Sequence, residues 1–322
     1  MSARETAAAP GGRRFVYGLA AVLFAVAVVL AVARVGEQAG RLSDWQALAL
    51  GITQGLTELL PISSSGHLIL VPWIGNWHYL ETHQSFNKTF DVALHLGTLV
   101  AVILYFWADV VRYVGAWFRS VGHRAIRDND ERLAWYILAG TVPAALAGAL
   151  GESTIESRLG QPWQIAIFLS VFGLLLWIAD RQPEERSIER LRFGTVFLIG
   201  ISQILALMPG VSRSGITITT GRFAKLDRDS AARFSFLLLI PIVFGAVLYK
   251  GVKHMVLHSL PAGSTGPFVV GTLAAAAVGL VAIDFLLGYV RRHDYTPFVV
   301  YRLIAAAVIV LIVVSGWRHA TF

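Results

Sequence analysis

Two short stretches of this chain hold most of the residues able to do chemistry within an otherwise apolar sequence. The first reads GITQGLTELLPISSSGH, from Gly51 to His67, and the second GISQILALMPGVSRSGI, from Gly200 to Ile216. Glu58 follows Gln54 by four residues, so on a helix the two side chains share one face. Arg213 offers a planar fork of donors that matches phosphate geometry. Ser hydroxyls, and backbone N–H groups where a helix begins, add donors aimed at an anion. A phosphorylated ligand suits this set, and its hydrolysis needs a nucleophile, a proton shuttle and charge neutralisation. A Ser hydroxyl can attack while His67 or Glu58 accepts its proton, and His67 is the neutral-pH titrator of the two stretches. Glu58 can instead hold a divalent cation that bridges two phosphates, a thin oxygen site that Gln54 and substrate complete.

The two stretches align without a gap at an offset of 149 residues. Gly51, Gln54, Leu56, Ser63, Ser65 and Gly66 fall on Gly200, Gln203, Leu205, Ser212, Ser214 and Gly215. Identity at Gly, Gln and Ser is more than shared hydrophobicity supplies. The turns at Pro61–Gly66 and Pro209–Gly215 are expected to line one polar pocket, because irregular backbone at membrane depth needs protein or water around it. Two kinked helices with back-bonded Ser hydroxyls are the plainer alternative for either turn alone. For Glu58 and Arg213 the plainer alternative is an ion pair that only pins the two stretches together.

The elements that carry these turns follow from composition. Of the 322 residues 56% are apolar and 15% charged, with no cysteine and a net charge of +7. Soluble domains carry about 25% charged residues, and the mean hydropathy here is +0.63. This excludes a soluble enzyme and a disordered chain, and the absence of cysteine excludes disulfides and thiolate chemistry. Runs long enough to span a bilayer, about 20 apolar residues each, are expected at 15–33, 90–111, 133–151, 163–179, 234–250, 268–290 and 298–317. Of the 27 Lys and Arg, 19 fall on one side of these spans, including Arg222 and Arg302, and seven on the other. That asymmetry places the first side in the cytoplasm and accounts for the positive charge without nucleic acid. It alternates only if 45–75 and 194–222 each enter and leave on one side, as re-entrant helical hairpins.

The expected fold is therefore an all-α polytopic membrane protein with an inverted-topology repeat. Residues 1–44 form a tail and an extra N-terminal transmembrane helix, which reads alternatively as a cleaved signal peptide. Residues 45–179 form the first repeat and 180–322 the second, each a re-entrant hairpin followed by three spans. The first hairpin opens outward. His95 reads as a packed or pocket-lining histidine, and Asp284 stands in a span with no motif around it.

The Gln54–His67 segment and the Pro209–Gly215 segment resemble the two signatures of undecaprenyl-diphosphatases of the bacitracin-resistance type. The resemblance runs from about Trp45 to the C-terminus, leaving the span at 15–33 as an extension. It implies hydrolysis of undecaprenyl diphosphate to undecaprenyl phosphate and phosphate in the bacterial plasma (inner) membrane, on its outer, periplasmic side. That reaction recycles the lipid carrier for peptidoglycan and gives bacitracin resistance. It implies functional roles for Glu58, Ser63, Ser64, Ser65, His67, Ser212, Arg213 and Ser214, and dependence on a divalent cation, Mg or Ca. Many members have Glu where this chain has Gln54, which shifts more of the burden to Glu58.

Taken together, the candidate catalytic residues are Ser64 as nucleophile, His67 as proton shuttle, Arg213 as phosphate clamp and Glu58 as cation ligand or base. Attack by water or by His67 stands as the alternative to Ser64. Gln54, Ser63, Ser65, Gly66, Ser212, Ser214 and Gly215 are the candidate binding residues. The expected partners are the lipid diphosphate, membrane lipids and a second copy of the chain. A transporter or flippase of the lipid phosphate is the competing function, since inverted repeats around broken helices are a transporter plan.

Overall fold

The computed structural model of the protein describes residues 10–33, 42–77, 79–80, 83–251 and 264–321. Residues 1–9 of the N-terminal tail, and Arg34, Arg41 and Lys253 of the charge count, lie outside the described residues. Among the described residues the regular structure is helical and no strand forms. Twelve α-helices follow in order: α1 Pro10–Ala33, α2 Asp44–Leu59, α3 Ser64–Gly75, α4 Gln84–Tyr105, α5 Trp107–His123, α6 Asn129–Arg158, α7 Pro162–Asp180, α8 Phe193–Ser202, α9 Arg213–Phe223, α10 Arg228–Gly251, α11 Thr265–Val290 and α12 Thr296–Val314. A 3-10 turn over Gln203–Leu207 extends α8.

Seven of these are long and apolar enough to cross a membrane: α1, α4, α6, α7, α10, α11 and α12. They lie where the seven hydrophobic runs place spans, with one correction. The run expected at 90–111 ends as a helix at Tyr105, and the chain restarts as α5 after Phe106. Asp109 and Arg112 explain the break. Their side chains pair at 2.6 Å, and α5 turns Asp109, Tyr113, Ala116 and Ser120 inward while Val111, Val114, Phe118 and Val121 face out. A two-faced helix of that kind suits a surface rather than a span.

Helix starts and stops follow local chemistry. A capping box opens α2: Ser43 Oγ accepts from Gln46 N at 3.1 Å while Gln46 Oε1 accepts from Ser43 N at 3.0 Å. Pro61 follows the end of α2 and cannot continue it, having no N–H to donate. Asn76, with φ 56°, closes α3 in the left-handed conformation.

The core is organised around α11, which packs against α1, α2 and α4. Lipid tails are as apolar as Leu, so membrane helices associate through close backbone approach at small residues. A Cβ at Gly51 would sit 2.4 Å from the Gly271 carbonyl oxygen, and one at Gly55 2.8 Å from that of Ala275. A Cβ at Gly97 of α4 would sit at the same 2.4 Å from the Thr272 carbonyl oxygen. The helix bearing Gln54 and Glu58 is thus seated directly on the α11 backbone. On the other side of the molecule α3 packs with α7 and α12 through Leu70, Trp73, Ile165, Leu169 and Ile309.

Two charged residues sit elsewhere than the sequence places them. Arg302 and Arg222, both counted as loop residues, are fully buried. Arg222 of α9 is held by Asp180 at 3.3 Å and by the Leu226 and Gln182 carbonyls. Arg302 lies within the α12 span, and its partners belong to the site described next. Asp284 of α11, which has no motif around it in sequence, accepts from Tyr17 Oη at 2.9 Å, Tyr105 Oη at 3.2 Å and Arg13 Nε at 3.3 Å. Its partners are far away in sequence, which is why no local pattern announces them.

Candidate active site

The α2–α3 turn and the α8–α9 turn meet in the interior. Ser63 and Ser212, which the repeat aligns, share an unusual backbone: φ 79°, ψ 96° at Ser63 and φ 74°, ψ 117° at Ser212. Each is the N-cap of the helix that follows, and each side chain accepts from an N–H three residues on, Gly66 N at 3.4 Å and Gly215 N at 3.0 Å. Positive φ is uncommon outside glycine. It recurs at two aligned serines, each opening a helix, α3 and α9, that starts at a turn of the site.

Cross-turn contacts fix the pair. Gly210 N donates to Ser63 Oγ at 3.1 Å, and Ser214 Oγ donates to the Leu60 carbonyl at 3.1 Å. Gly66 and Gly210 approach so closely that a Cβ on Gly66 would lie 3.3 Å from Gly210 N. Gly210 itself has φ 102°, a conformation that favours glycine.

Glu58 is the centre of the polar set. It is buried, at 6% exposure. Its Oε1 accepts from Arg213 Nη2 at 3.1 Å and Nε at 3.3 Å, and its Oε2 accepts a short hydrogen bond from Ser64 Oγ. Gln54 Nε2 lies 3.5 Å from the same Oε2, and His95 Nε2 lies 3.7 Å from it. Arg213 Nη1 donates to the Ser235 carbonyl of α10 at 3.1 Å, which anchors the guanidinium without using all its donors. The i,i+4 spacing of Gln54 and Glu58 does put both on one face, and Ser64, across the turn, reaches back to it.

His67 belongs to a second, adjoining set. Its Nδ1 lies 2.7 Å from the Ser63 carbonyl, and its Nε2 lies 2.7 Å from Tyr301 Oη of α12. Ser65 Oγ stands 3.5 Å from Ser63 Oγ, and Ser214 Oγ 3.1 Å from Ser212 Oγ. All candidate residues therefore gather at the two turns, with Ser64, Gln54 and Arg213 each against Glu58 and His67 facing α12.

Sequence reasoning missed Tyr301 and Arg302. Among the described residues Arg302 has no carboxylate partner. Its guanidinium donates to the carbonyls of Pro61 (3.2 Å), Gly210 (2.9 Å), Val211 (3.0 Å) and Leu169 (3.0 Å). It thus ties both turns to α7 through backbone oxygens, which a planar five-donor group can do and a lysine cannot. An Arg six residues into a strongly apolar helix is itself a signal, because intramembrane charge is rare and usually functional.

A divalent cation, which the resemblance to diphosphatases implies, can be tested against the donors present. His95 Nδ1 is 2.7 Å from the Asp91 carbonyl, so it carries a proton and a neutral His95 turns the Nε2 lone pair toward Glu58 Oε2. Two acceptors that face each other at 3.7 Å call for a proton or a cation between them. Gln54 Oε1, fully buried, has no hydrogen-bond partner. Among the described residues no group of three or more His, Asp and Glu converges. Glu58, Gln54 Oε1 and His95 fit a cation only as a partial shell, with phosphate and water oxygens as the remainder.

Comparison with known proteins agrees in extent and kind. The sequence profile of the family described as bacitracin resistance protein BacA matches residues 47–308. The chain is 45% identical over 268 residues to an undecaprenyl-diphosphatase of Moorella thermoacetica, covering 83% of this chain and 97% of that one. It is 46% identical over 269 residues to an undecaprenyl-diphosphatase of Geobacter metallireducens, with coverages of 83% and 97%. An undecaprenyl-diphosphatase of Thermomicrobium roseum is 44% identical over 283 residues, with coverages of 85% and 99%. Both turns and Arg302 lie inside the matched region, which ends at residue 308 within α12, α1 lies before it, and the chain belongs to the BacA family of bacitracin resistance proteins.

Proposed function

We infer that this chain hydrolyses undecaprenyl diphosphate to undecaprenyl phosphate and inorganic phosphate within the bacterial plasma membrane. The observation that carries the reading is the contact set Arg213–Glu58–Ser64 between two buried turns. The relatives named above, 44 to 46% identical and matched along nearly their whole length, bear the same activity in their names. Polar groups buried within the apolar body also suit a ligand whose tail stays in lipid while its head needs neutralising.

The residues divide the work as follows. The Arg213 fork takes the terminal phosphate, exchanging Glu58 for phosphate oxygens of the same geometry. N–H groups at the starts of α3 and α9 and the hydroxyls of Ser63, Ser65, Ser212 and Ser214 receive the remaining oxygens, and Gly66 and Gly215 keep that approach open. Glu58, released from Arg213, accepts the Ser64 proton along the hydrogen bond already formed. Ser64 Oγ bonds to the terminal phosphorus, and the bond from phosphorus to the bridging oxygen breaks, releasing undecaprenyl phosphate. Glu58 then returns that proton to the Ser64 oxygen as water attacks the phosphorus and the Ser64 O–P bond breaks, and inorganic phosphate leaves with both hydrogens of the water. Glu58, Gln54 and His95 would hold a Mg or Ca ion, which supplies charge neutralisation across the diphosphate when bound.

The whole-chain reading that accompanies this is an inverted repeat of two re-entrant hairpins over 45–179 and 180–322, with the site opening to the periplasmic side. Support comes from the matched N-cap geometry of Ser63 and Ser212, the three candidate spans after each helix pair, and the Lys and Arg asymmetry. The meeting of the two turns also favours a second reading, movement of the lipid phosphate across the bilayer.

One assay decides between them. Purified protein in detergent is given the lipid diphosphate, and phosphate release is followed with and without chelator. Release that the chelator stops, and that Arg213→Ala and Glu58→Gln abolish, is the expected result. No release under any divalent ion, together with lipid movement in sealed vesicles, overturns the phosphatase in favour of the transporter.

A further inference from the structure

The one ring nitrogen of His67 able to accept a proton does not face Ser64. A carbonyl oxygen only accepts, so Nδ1, at 2.7 Å from the Ser63 carbonyl, carries the hydrogen. In the neutral ring the lone pair is then on Nε2, and 2.7 Å away stands the hydroxyl of Tyr301, which donates to it. The two rings lie nearly parallel, 20° apart with centroids at 5.6 Å. Tyr301 comes from α12, far from the turn in sequence, and its neighbour Arg302 holds the carbonyl of Pro61 two residues before Ser63. Ser63 is the residue with φ 79° whose Oγ caps α3 and receives Gly210 N from the other turn.

We propose that Tyr301 is a positioning residue that acts through His67, locking the imidazole with hydrogen on Nδ1 so that it braces the Ser63 carbonyl and the strained turn. The inference rests on the phosphatase reading for its kinetic consequence alone. The chain of bonds runs Tyr301 Oη–H to His67 Nε2, then His67 Nδ1–H to Ser63 O, then backbone to the N–H groups that α3 turns toward the substrate. If the ring flipped or changed tautomer, Nδ1 would lose its donor role and Ser63 would lose the brace that reaches it from α12 through His67. A second consequence is a division of labour: Glu58 takes the Ser64 proton, while His67 orients. This revises the assignment of His67 as proton shuttle that its titration range alone suggests.

The test uses the full chain in lipid nanodiscs with uniformly 15N-labelled histidine, and the His67 resonances are assigned from their loss in His67→Gln. The expected wild-type spectrum shows His67 as the Nδ1–H tautomer with Nε2 hydrogen-bonded. In Tyr301→Phe, which keeps the ring and removes only the hydroxyl, the Nε2 resonance shifts to that of an unbonded acceptor. Phosphate release then falls about tenfold or more in kcat with KM little changed, the signature of lost orientation in the transition state. In a His67→Gln background Tyr301→Phe causes no further loss, because residues on one path are not additive. An Nε2–H tautomer in the wild type, or an equal proportional loss in both backgrounds, overturns the proposal. Phosphate release absent from the wild type itself would sink the phosphatase reading and leave the tautomer measurement to judge Tyr301 separately.

Discussion

At the scale of single residues, the site is built by sharing acceptors. Glu58 receives both Arg213 and Ser64, so one carboxylate holds the proposed phosphate clamp and the proposed nucleophile at once. Glu58→Gln keeps the shape but makes a donor of one of those positions, and Arg213→Lys keeps the charge but loses the fork. Both are expected to lower phosphate release at least about a hundredfold, measured as kcat/KM in detergent. Ser64→Ala separates mechanisms. Covalent catalysis by Ser64 predicts loss of phosphoserine formation and of turnover together, while near-full turnover would assign the attack to water or to His67. The charged residues of the two turns are readable in the sequence because a motif at fixed spacing surrounds them. Tyr301, Arg302 and the partners of Asp284 are not, because each meets its partners more than 90 residues away.

At the scale of elements, two devices shape the turns: serine caps with positive φ and glycine seams between helices. Ser212→Ala removes the Oγ that accepts from Gly215 N and contacts Ser214. The expected loss is about 1 kcal/mol of stability, as for other N-caps, read as a lower midpoint in thermal unfolding followed by Trp fluorescence. Gly51→Leu is far more damaging, since even a Cβ would meet the Gly271 carbonyl at 2.4 Å. It is expected to separate α2 from α11 and to abolish both folding yield and activity, whereas Gly194→Ala, with open space around it, changes neither. Span positions were legible from apolar length alone. The break between α4 and α5 was not, because the apolar run continues past Tyr105 and only the inward placement of Asp109 decides against it.

At the scale of the whole molecule, the extension α1 and the BacA core meet at one buried carboxylate. Asp284 takes Arg13 and Tyr17 from α1 and only Tyr105 from the core. Removal of residues 1–41 therefore leaves Asp284 short of two donors, and a buried carboxylate without partners is costly. The truncated chain is expected to retain phosphate release with a lower unfolding midpoint, and Asp284→Asn in that truncated chain to restore part of the loss. Orientation is testable with equal economy, because the chain has no cysteine. Single cysteines at Arg127, between α5 and α6, and at Gln161, between α6 and α7, are expected to react with an impermeant maleimide from opposite sides of sealed vesicles. Labelling of both from one side would refute the span assignment of α6.

The seating of α2 on α11 has a bearing on how a bulky lipid head gets in. Backbone touches backbone at Gly51 and Gly55, so those two helices have no room to slide or tilt against each other. The wall carrying Gln54 and Glu58 is in effect a fixed anvil. Any movement that admits the head is left to the opposite wall, where α3 packs with α12 and Tyr301 is 42% exposed. A staple across that second wall would freeze admission, while one across the first would change little.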